Sequence, residues 1–446
     1  MSSLHIAGPL KAGTQVWQSN LSRRLAACGL SAAIRPLHAL ISAPALLHMA
    51  ALIAMLLRPP DVDFFHLDRV AFAVLAFAVF LRALLLRQHP PWYGTLSWAM
   101  LALLLLAIAS TLSQPFDNVT WNLLSAKFVV PFALFHLAGV VFTNEKSCRQ
   151  FEVYCLITLA YLSWLALASL AGANALVFPR YILDESLGTH IHRARGPFLQ
   201  AVANGVALNV LGLLALHAFA RERLSKLPAL ILLGALPLAI LATMTRAVWF
   251  SFGLSIVFAM LASGSRMRRA AGVLLGLGVA AVLLSFLTTQ FRSDLEERFA
   301  ERGPVEIRMA IYRASWEMIE EKPWFGWGQN EMAGEIGRRL PDYKLDAFAA
   351  HNNYLEILVE HGVVGLALYA CIIFALFRLG FRNGTAHLSS DTVFNGEFRT
   401  VWLIIFGVYL LNGCFVVMNY QFVNALLFTI AGILCAQDQE ISEFRR

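Results

Sequence analysis

Apolar segments of about 17–25 residues recur along the whole chain, separated by shorter polar stretches. Runs of this length are sufficient to cross the hydrocarbon layer of a membrane as helices. The pattern therefore predicts an all-α polytopic membrane protein with about twelve transmembrane helices. The predicted spans are residues 37–57, 70–86, 92–112, 121–142, 151–171, 199–220, 227–243, 247–263, 270–290, 354–377, 401–420 and 422–435.

Two connections between these spans are longer than the rest, at residues 179–198 and 291–353. In the second, the stretch 306–321 has apolar residues at helical spacing: Ile307, Ala310, Ile311, Ala314 and Met318. It predicts an amphipathic helix that lies on the membrane or packs on the bundle. The sequence Pro-Trp-Phe-Gly-Trp-Gly at 323–328 predicts an aromatic turn suited to the membrane interface or to stacking on sugars.

Composition agrees with the membrane assignment, and the position of the positive charges gives an orientation. Of the 446 residues, 58% are hydrophobic and 14% are charged, whereas soluble domains are closer to half apolar and a quarter charged. Lys and Arg concentrate in alternate connections, which places the N-terminus in the cytoplasm and both long loops outside. The net charge of +7 is then mostly a topology signal and gives no reason to expect nucleic acid as a partner.

The predicted organisation has five parts. A cytoplasmic N-terminal segment covers residues 1–36, and the first nine helices cover 37–290 with the outer loop at 179–198. The large outer loop at 291–353, the last three helices at 354–435 and a cytoplasmic tail at 436–446 follow. The chain has no phosphate-binding or dinucleotide glycine pattern and no metal-ligand spacing, so we expect neither a cofactor nor a metal site.

Several polar residues mark the start of the tenth span. His351 directly precedes it, and an imidazole with an ordinary pKa of about 6.5 suits a general base near neutral pH. The alternative is a helix-terminal histidine bonded to solvent or lipid headgroups. Either Asn352 or Asn353 is suited to cap the helix. Glu356 and Glu360 lie one turn apart inside the span and need partners or protons, so we expect them to support the site.

Five cations are predicted near the external surface, against the usual charge bias: Lys127, Arg193, Arg195, Arg246 and Arg308. Singly, each is explained by a headgroup contact or by pairing with a carboxylate. Together they indicate an anionic ligand such as a lipid pyrophosphate, because guanidinium groups bind phosphate oxygens in a bidentate manner. Gln200 and Asn204, one turn apart, either add hydrogen bonds to such a ligand or join neighbouring helices.

Four motifs follow one another along the chain. They are Arg-Ala-Arg-Gly-Pro-Phe at 193–198 with Asn204; Thr-Arg-Ala-Val-Trp at 245–249; Arg308 and Trp316 followed by the 323–328 motif; and His-Asn-Asn-Tyr-Leu-Glu at 351–356 with Gly362 and Gly365. This set, spread over residues 120–375, resembles the O-antigen ligase / O-antigen polymerase superfamily of bacterial envelope glycosyltransferases. Chain length and the number of spans fit the ligases best.

The resemblance implies a GT-C-like fold with a large periplasmic loop in the bacterial inner membrane. It also implies metal-independent, inverting transfer of undecaprenyl-pyrophosphate-linked O-antigen polysaccharide to the lipid A–core oligosaccharide at the periplasmic face. His351 would be the catalytic base. The donor pyrophosphate would be bound by Arg193, Arg195, Arg246, Arg308 and Lys127. The supporting residues would be Gln200, Asn204, Asn352 and Glu356.

Three alternatives stay open. A polymerase would use the same lipid-linked donor with a second lipid-linked glycan as acceptor. A polytopic transporter would use Lys127, Glu356 and Glu360 to relay ions or substrate across the membrane. A structural scaffold would leave the external cations unexplained.

Overall fold

The computed structural model describes residues 43–58, 66–86, 91–188, 192–285, 303–341, 349–381 and 392–444. Within these ranges the chain forms helices and no strands. The N-terminal segment predicted at 1–36 lies outside the described residues. The helices are α1 (Pro44–Leu56), α2 (Leu67–Leu86), α3 (Thr95–Leu112), α4 (Asn118–Val141), α5 (Glu145–Leu170), α6 (Ala201–Ala220), α7 (Lys226–Ala242), α8 (Arg246–Ala262), α9 (Ser265–Ser285), α10 (Gly303–Glu321), α11 (Gln329–Arg339), α12 (Asn353–Arg378), α13 (Phe398–Gly413) and α14 (Gln421–Phe444).

Six of the described helices are long and apolar enough to cross a membrane: α3, α4, α5, α6, α12 and α14. Four shorter helices, α1, α7, α8 and α13, are also apolar. The prediction of a polytopic helical membrane protein is therefore confirmed. Each predicted span overlaps one of the described helices, while the number of membrane crossings stays a prediction. The last helix continues to Phe444, through most of the predicted cytoplasmic tail.

Helix α6 occupies the middle of the described bundle. In its apolar 18-residue window 89% of the residues are buried, as expected for a helix that is apolar on every side. Helices α5, α7 and α13 pack around it, while α14 runs along α4 and α12 runs along α3.

The amphipathic helix predicted at 306–321 is present as α10, and its apolar face packs against protein. Ile311, Ala314 and Met318 are buried in a small core with Met332 and Ile336 of α11. Of the two predicted locations, packing on the bundle is the one observed. Helix α11 is fixed to α4 by a hydrogen bond between Thr120 Oγ1 and Asn330 Oδ1 (2.6 Å).

Helix α12 is broken at Gly362, whose φ of 64° and ψ of −167° are not helical. The break leaves backbone N–H and C=O groups on both of its sides without hydrogen-bond partners inside the helix. Residues 323–328, which we call the threaded segment, supply these partners. The hydrogen bonds are Trp327 N to Val359 O (2.9 Å), Gly328 N to Glu360 O (2.9 Å), Val363 N to Pro323 O (2.8 Å) and Val364 N to Trp324 O (3.2 Å). The predicted aromatic turn is thus inserted into an apolar helix, where unpaired backbone groups would be costly.

Glycine is required on both sides of this contact. A Cβ atom on Gly362 would lie 2.3 Å from the carbonyl carbon and oxygen of Trp324. A Cβ atom on Gly326 would lie 2.4 Å from the carbonyl oxygen of Val359. Both glycines also have positive φ, 64° and 69°, which L-residues rarely adopt. The Gly-rich motif and Gly362 therefore form one interlocking unit.

Candidate active site at the start of the broken helix

A buried ion cluster joins α4 to the first half of α12. Helix α4 contains a π-helical turn at Ser125–Val129, a distortion that is frequent at functional sites and that here carries Lys127. Its ammonium lies 2.7 Å from Glu356 Oε1 and 2.7 Å from Glu360 Oε2. The three side chains are 3%, 7% and 1% exposed, respectively. Two carboxylates so deeply buried require a cation, and Lys127 rather than an arginine provides it.

His361 adds a further titratable group beside this cluster. Its Nε2 atom lies 3.7 Å from Glu360 Oε2, and within the described residues neither ring nitrogen has a hydrogen-bond partner. The ring packs against Phe128, with centroids 5.9 Å apart. His361 is therefore a buried, packed histidine.

His351 lies in a turn immediately before α12. Its φ of 52° is in the left-handed region, which is uncommon outside glycine. Asn352 Oδ1 accepts hydrogen bonds from Tyr354 N (3.0 Å) and Leu355 N (3.1 Å), which confirms the predicted cap. The residue that follows His351 is therefore fixed by its capping bonds to α12.

Two charged side chains act on His351 from different elements. Burial lowers the pKa of His351 first, and the positive charge of Arg308 on α10 lowers it further, while the negative charge of Glu356 opposes both. The lowered pKa favours the neutral imidazole, which is the form that accepts a proton. The charges of Arg308 and Glu356 thus both act on His351.

Arg195 is placed differently from the prediction for a phosphate ligand. Its residue is 2% exposed. Nε and Nη2 donate to the Ile182 carbonyl at 3.1 Å and 2.8 Å, and further hydrogen bonds reach the carbonyls of Asp184 and Leu187. The guanidinium therefore holds the loop predicted at 179–198 in its folded shape.

The 193–198 motif, which precedes α6, is hydrogen-bonded to the end of α7, directly before the 245–249 motif that opens α8. Ala194 N donates to the carbonyl of Ala242 at the end of α7 (2.9 Å), and Asn204 Nδ2 donates to the carbonyl of Ala194 (2.8 Å). Arg246 is exposed at the first position of α8, and Arg193 is half-exposed in the adjoining loop. Asn204 therefore supports the loop that carries Arg193.

The turn that carries His351 and the motifs that carry Arg193 and Arg246 lie at the same end of the bundle. Tyr354 Oη donates to the carbonyl of Leu410 (2.8 Å), which places the start of α12 at the end of α13. Asn412 Nδ2 donates to Ser251 Oγ (3.0 Å), which places the same end of α13 beside the first turns of α8. Gln200 occupies the N-cap position of α6 without a capping bond from its side chain.

The sequence predicts Lys127 as a ligand of the donor pyrophosphate, whereas in the structure its ammonium contacts Glu356 and Glu360. The available signal was a lone lysine in an apolar span, together with two carboxylates one turn apart in another. Such groups are expected to pair inside a membrane, because each alone would be costly there. Within the described ranges, no group of three or more His, Cys, Asp or Glu side chains is placed to hold a metal ion.

The fold and this site define a polytopic helical membrane protein with a buried ionic cluster and a half-buried histidine at one end of its bundle. Residues 228–370 match the family described as O-Antigen ligase. The matched segment contains Arg246, Arg308, the threaded segment and His351, and it ends before α13. The match agrees with the resemblance found in the sequence and covers less than half of the chain. A comparison with curated proteins gives no match to the chain.

Proposed function

We propose that this protein transfers a completed O-antigen glycan from undecaprenyl pyrophosphate to a hydroxyl of the lipid A–core oligosaccharide, at the periplasmic face of the inner membrane. The family match supports O-antigen ligase or polymerase chemistry with lipid-linked glycans. The single observation that carries the proposal is the half-buried His351 directly before α12, at the end of the bundle that also carries Arg193 and Arg246. A base and a phosphate-binding cation are the two groups that such a transfer requires.

In the proposed reaction the acceptor hydroxyl oxygen attacks the anomeric carbon, and the bond from that carbon to the pyrophosphate oxygen breaks. His351 takes the hydroxyl proton, and the pyrophosphate leaves with the bonding electron pair. Because the displacement is a single step, the configuration at the anomeric carbon inverts. Arg308, Arg246 and Arg193 stabilise the charge that grows on the leaving group, which is where fixed cations lower a barrier most.

Lys127 and Arg195 have other tasks in this proposal. The Lys127 ammonium contacts two carboxylates, and the Arg195 fork contacts backbone carbonyls. We therefore assign the phosphate contact of the 193–198 motif to Arg193 and the shaping of the loop to Arg195. The twelve membrane crossings, the GT-C-like fold and the periplasmic location of the site belong to the same proposal.

The test is a reconstitution of purified protein with lipid-linked O-antigen, followed by electrophoresis of the products. Glycan attached to added lipid A–core supports the ligase, while extension of a second lipid-linked glycan would establish the polymerase. In cells, loss of a ligase leaves core without O units, whereas loss of a polymerase leaves core with one unit. Movement of glycan across liposomes without any new glycosidic bond would refute both enzymes in favour of a transporter.

A further inference from the structure

Asn353, the second of the two asparagines that follow His351, uses both polar atoms of its side chain to contact other parts of the bundle. The residue is 2% exposed. Its Oδ1 atom accepts the backbone N–H of Met418 (3.1 Å), in the connection between α13 and α14, and its Nδ2 atom donates to Tyr369 Oη (2.9 Å). The first residue of α12 is therefore attached at two points through one side chain.

The contact with Tyr369 shows that α12 turns sharply at Gly362. Asn353 and Tyr369 are 16 residues apart. In a continuous helix they would be separated by about 24 Å along the axis, which is beyond the reach of the two side chains. Their hydrogen bond, and the Tyr354 ring 6.3 Å from the Tyr369 ring, therefore require the first half of α12 to fold back toward the second half.

Met418, the other partner of Asn353, is itself held from a second side. Its carbonyl accepts a hydrogen bond from Asn424 Nδ2 (2.8 Å), and Asn424 Oδ1 accepts the hydroxyl of Tyr409 (2.9 Å). Met418 and Asn424 are each 1% exposed. Asn353 thus joins the start of α12 to a segment that α13 and α14 already hold in place.

We propose that Asn353 is a positioning residue for His351, because its amide fixes the first turn of α12 against the bundle. This inference rests on the proposed function, which takes His351 as the base. His351 lies two residues before Asn353, and its φ of 52° is a conformation that persists only where the surrounding structure determines it. The capping bonds of Asn352 tie the His351 turn to α12, and the side chain of Asn353 ties α12 to the bundle.

The matched pair Asn353→Ala and Asn209→Ala tests the proposal. Asn209 is also buried, with 1% exposed, and its Oδ1 atom accepts the hydroxyl of Ser255 (3.0 Å) between α6 and α8. It therefore controls for the loss of a buried amide that does not contact α12. A displacement of about 1 Å at a reacting group costs roughly 10²-fold in rate. We expect kcat to fall by roughly 10²-fold for Asn353→Ala, with the KM for lipid-linked donor changed less than about threefold, and by less than about threefold for Asn209→Ala.

Two further variants distinguish positioning from a general loss of structure. Asn353→Asp keeps one oxygen for the Met418 N–H and a second oxygen for the Tyr369 hydroxyl, so it should retain at least about a tenth of wild-type kcat. Tyr369→Phe removes only the hydroxyl that Asn353 contacts. Added to Asn353→Ala, it should lower kcat by less than about a further twofold, because two residues that act through one contact are not additive.

Chemical labelling of His351 provides a measurement that needs no turnover. Carbethoxylation by diethyl pyrocarbonate, followed by mass spectrometry without substrate, reports how accessible the imidazole is, and exposed His66 serves as the internal reference. Labelling of His351 relative to His66 should rise in Asn353→Ala and in Tyr369→Phe, because the turn is released. It should stay at the wild-type value in Asn353→Asp and in Asn209→Ala.

Wild-type labelling of His351 in Asn353→Ala, or a loss of kcat no greater than that of Asn209→Ala, would overturn the proposal. If Asn353→Ala does not insert, Tyr369→Phe decides through the same labelling ratio, because it deletes one oxygen atom and keeps the Met418 bond: a raised ratio supports the proposal and a wild-type ratio refutes it. Wild-type protein that transfers no glycan would count against the proposed function instead. The labelling ratio would still report whether Asn353 fixes the His351 turn.

Discussion

Replacing Gly362 by alanine should destabilise the protein by opening the joint between α12 and the threaded segment. Gly362 has φ 64° and ψ −167°, a region that is essentially restricted to glycine and costs other residues about 1–3 kcal/mol. The added Cβ would also lie 2.3 Å from backbone atoms of Trp324, which cannot move aside as a flexible side chain does.

The size of the effect follows from the bonds that the Cβ would displace. Val363 N and Val364 N bond the carbonyls of Pro323 and Trp324 at 2.8 Å and 3.2 Å, and each such bond contributes about 0.5–1.5 kcal/mol net. Adding the backbone strain gives a loss of about 2–6 kcal/mol for Gly362→Ala. The melting temperature of the purified protein in detergent should fall, and exchange of the Trp327 and Gly328 amides with deuterium should accelerate.

Gly407→Ala is the matched control. Gly407 is a helical glycine of α13 with no atom within 4 Å of an added Cβ, so alanine should leave stability unchanged or raise it by about 0.5–1 kcal/mol. Equal melting temperatures for the two variants, together with unchanged exchange at Trp327 and Gly328, would refute the role assigned to the break in α12.

Three further predictions concern the proposed base and the cations. His351→Ala should insert and melt like wild type but lose about 10²–10⁴-fold in transfer rate, because a general base is removed; full activity in the reconstituted assay would contradict that role. Arg308→Lys should fail to transfer, since an ammonium does not replace a bidentate fork, and Arg308→Met should shift the pH dependence of His351 modification by diethyl pyrocarbonate, which needs no turnover, to higher pH. The sign follows because removing a positive charge raises the pKa of His351, so the imidazole becomes protonated at a higher pH; an unchanged pH dependence would separate Arg308 from His351. Arg195→Lys should lower the melting temperature and raise protease sensitivity in the loop at 179–188, because an ammonium cannot satisfy the carbonyls of Ile182, Asp184 and Leu187 together; an unchanged digestion pattern would argue against the loop role.

The helices of this protein could be predicted wherever the residues of one segment are enough to show which of its sides is buried or how it is capped. The apolar spans, the buried face of α10 and the Asn352 cap each follow from a local pattern of residue types, because hydrophobic period and capping act within a few residues. The candidate residues His351 and Arg308 were also recognisable, since their motifs are contiguous and polar beside apolar runs.

The contacts between remote segments could not be predicted in the same way. The partner of Glu356 is on α4, and nothing near Lys127 in the sequence states which helix it faces. The hydrogen bonds across the break at Gly362 join backbone atoms. They cannot be predicted from the side chains of the sequence, except that the close approach requires glycine. Arg195 was assigned to phosphate because its residue type suits that ligand, whereas its environment supplies backbone carbonyls that no residue type encodes.

The break in α12 has a consequence for how the chain enters its membrane. The nine residues before Gly362 include two acids and a histidine, and charged residues at a helix centre oppose insertion by about 2.5–3.5 kcal/mol each. The stretch that follows Gly362 is apolar and can anchor by itself. Lys127 and the threaded segment both precede α12 in the chain, so the ribosome delivers the counter-charge and the backbone partners before the part that cannot enter lipid unaided. We therefore expect the polar half of α12 to dock onto helices that precede it in the chain, rather than to partition by itself from the translocon into lipid.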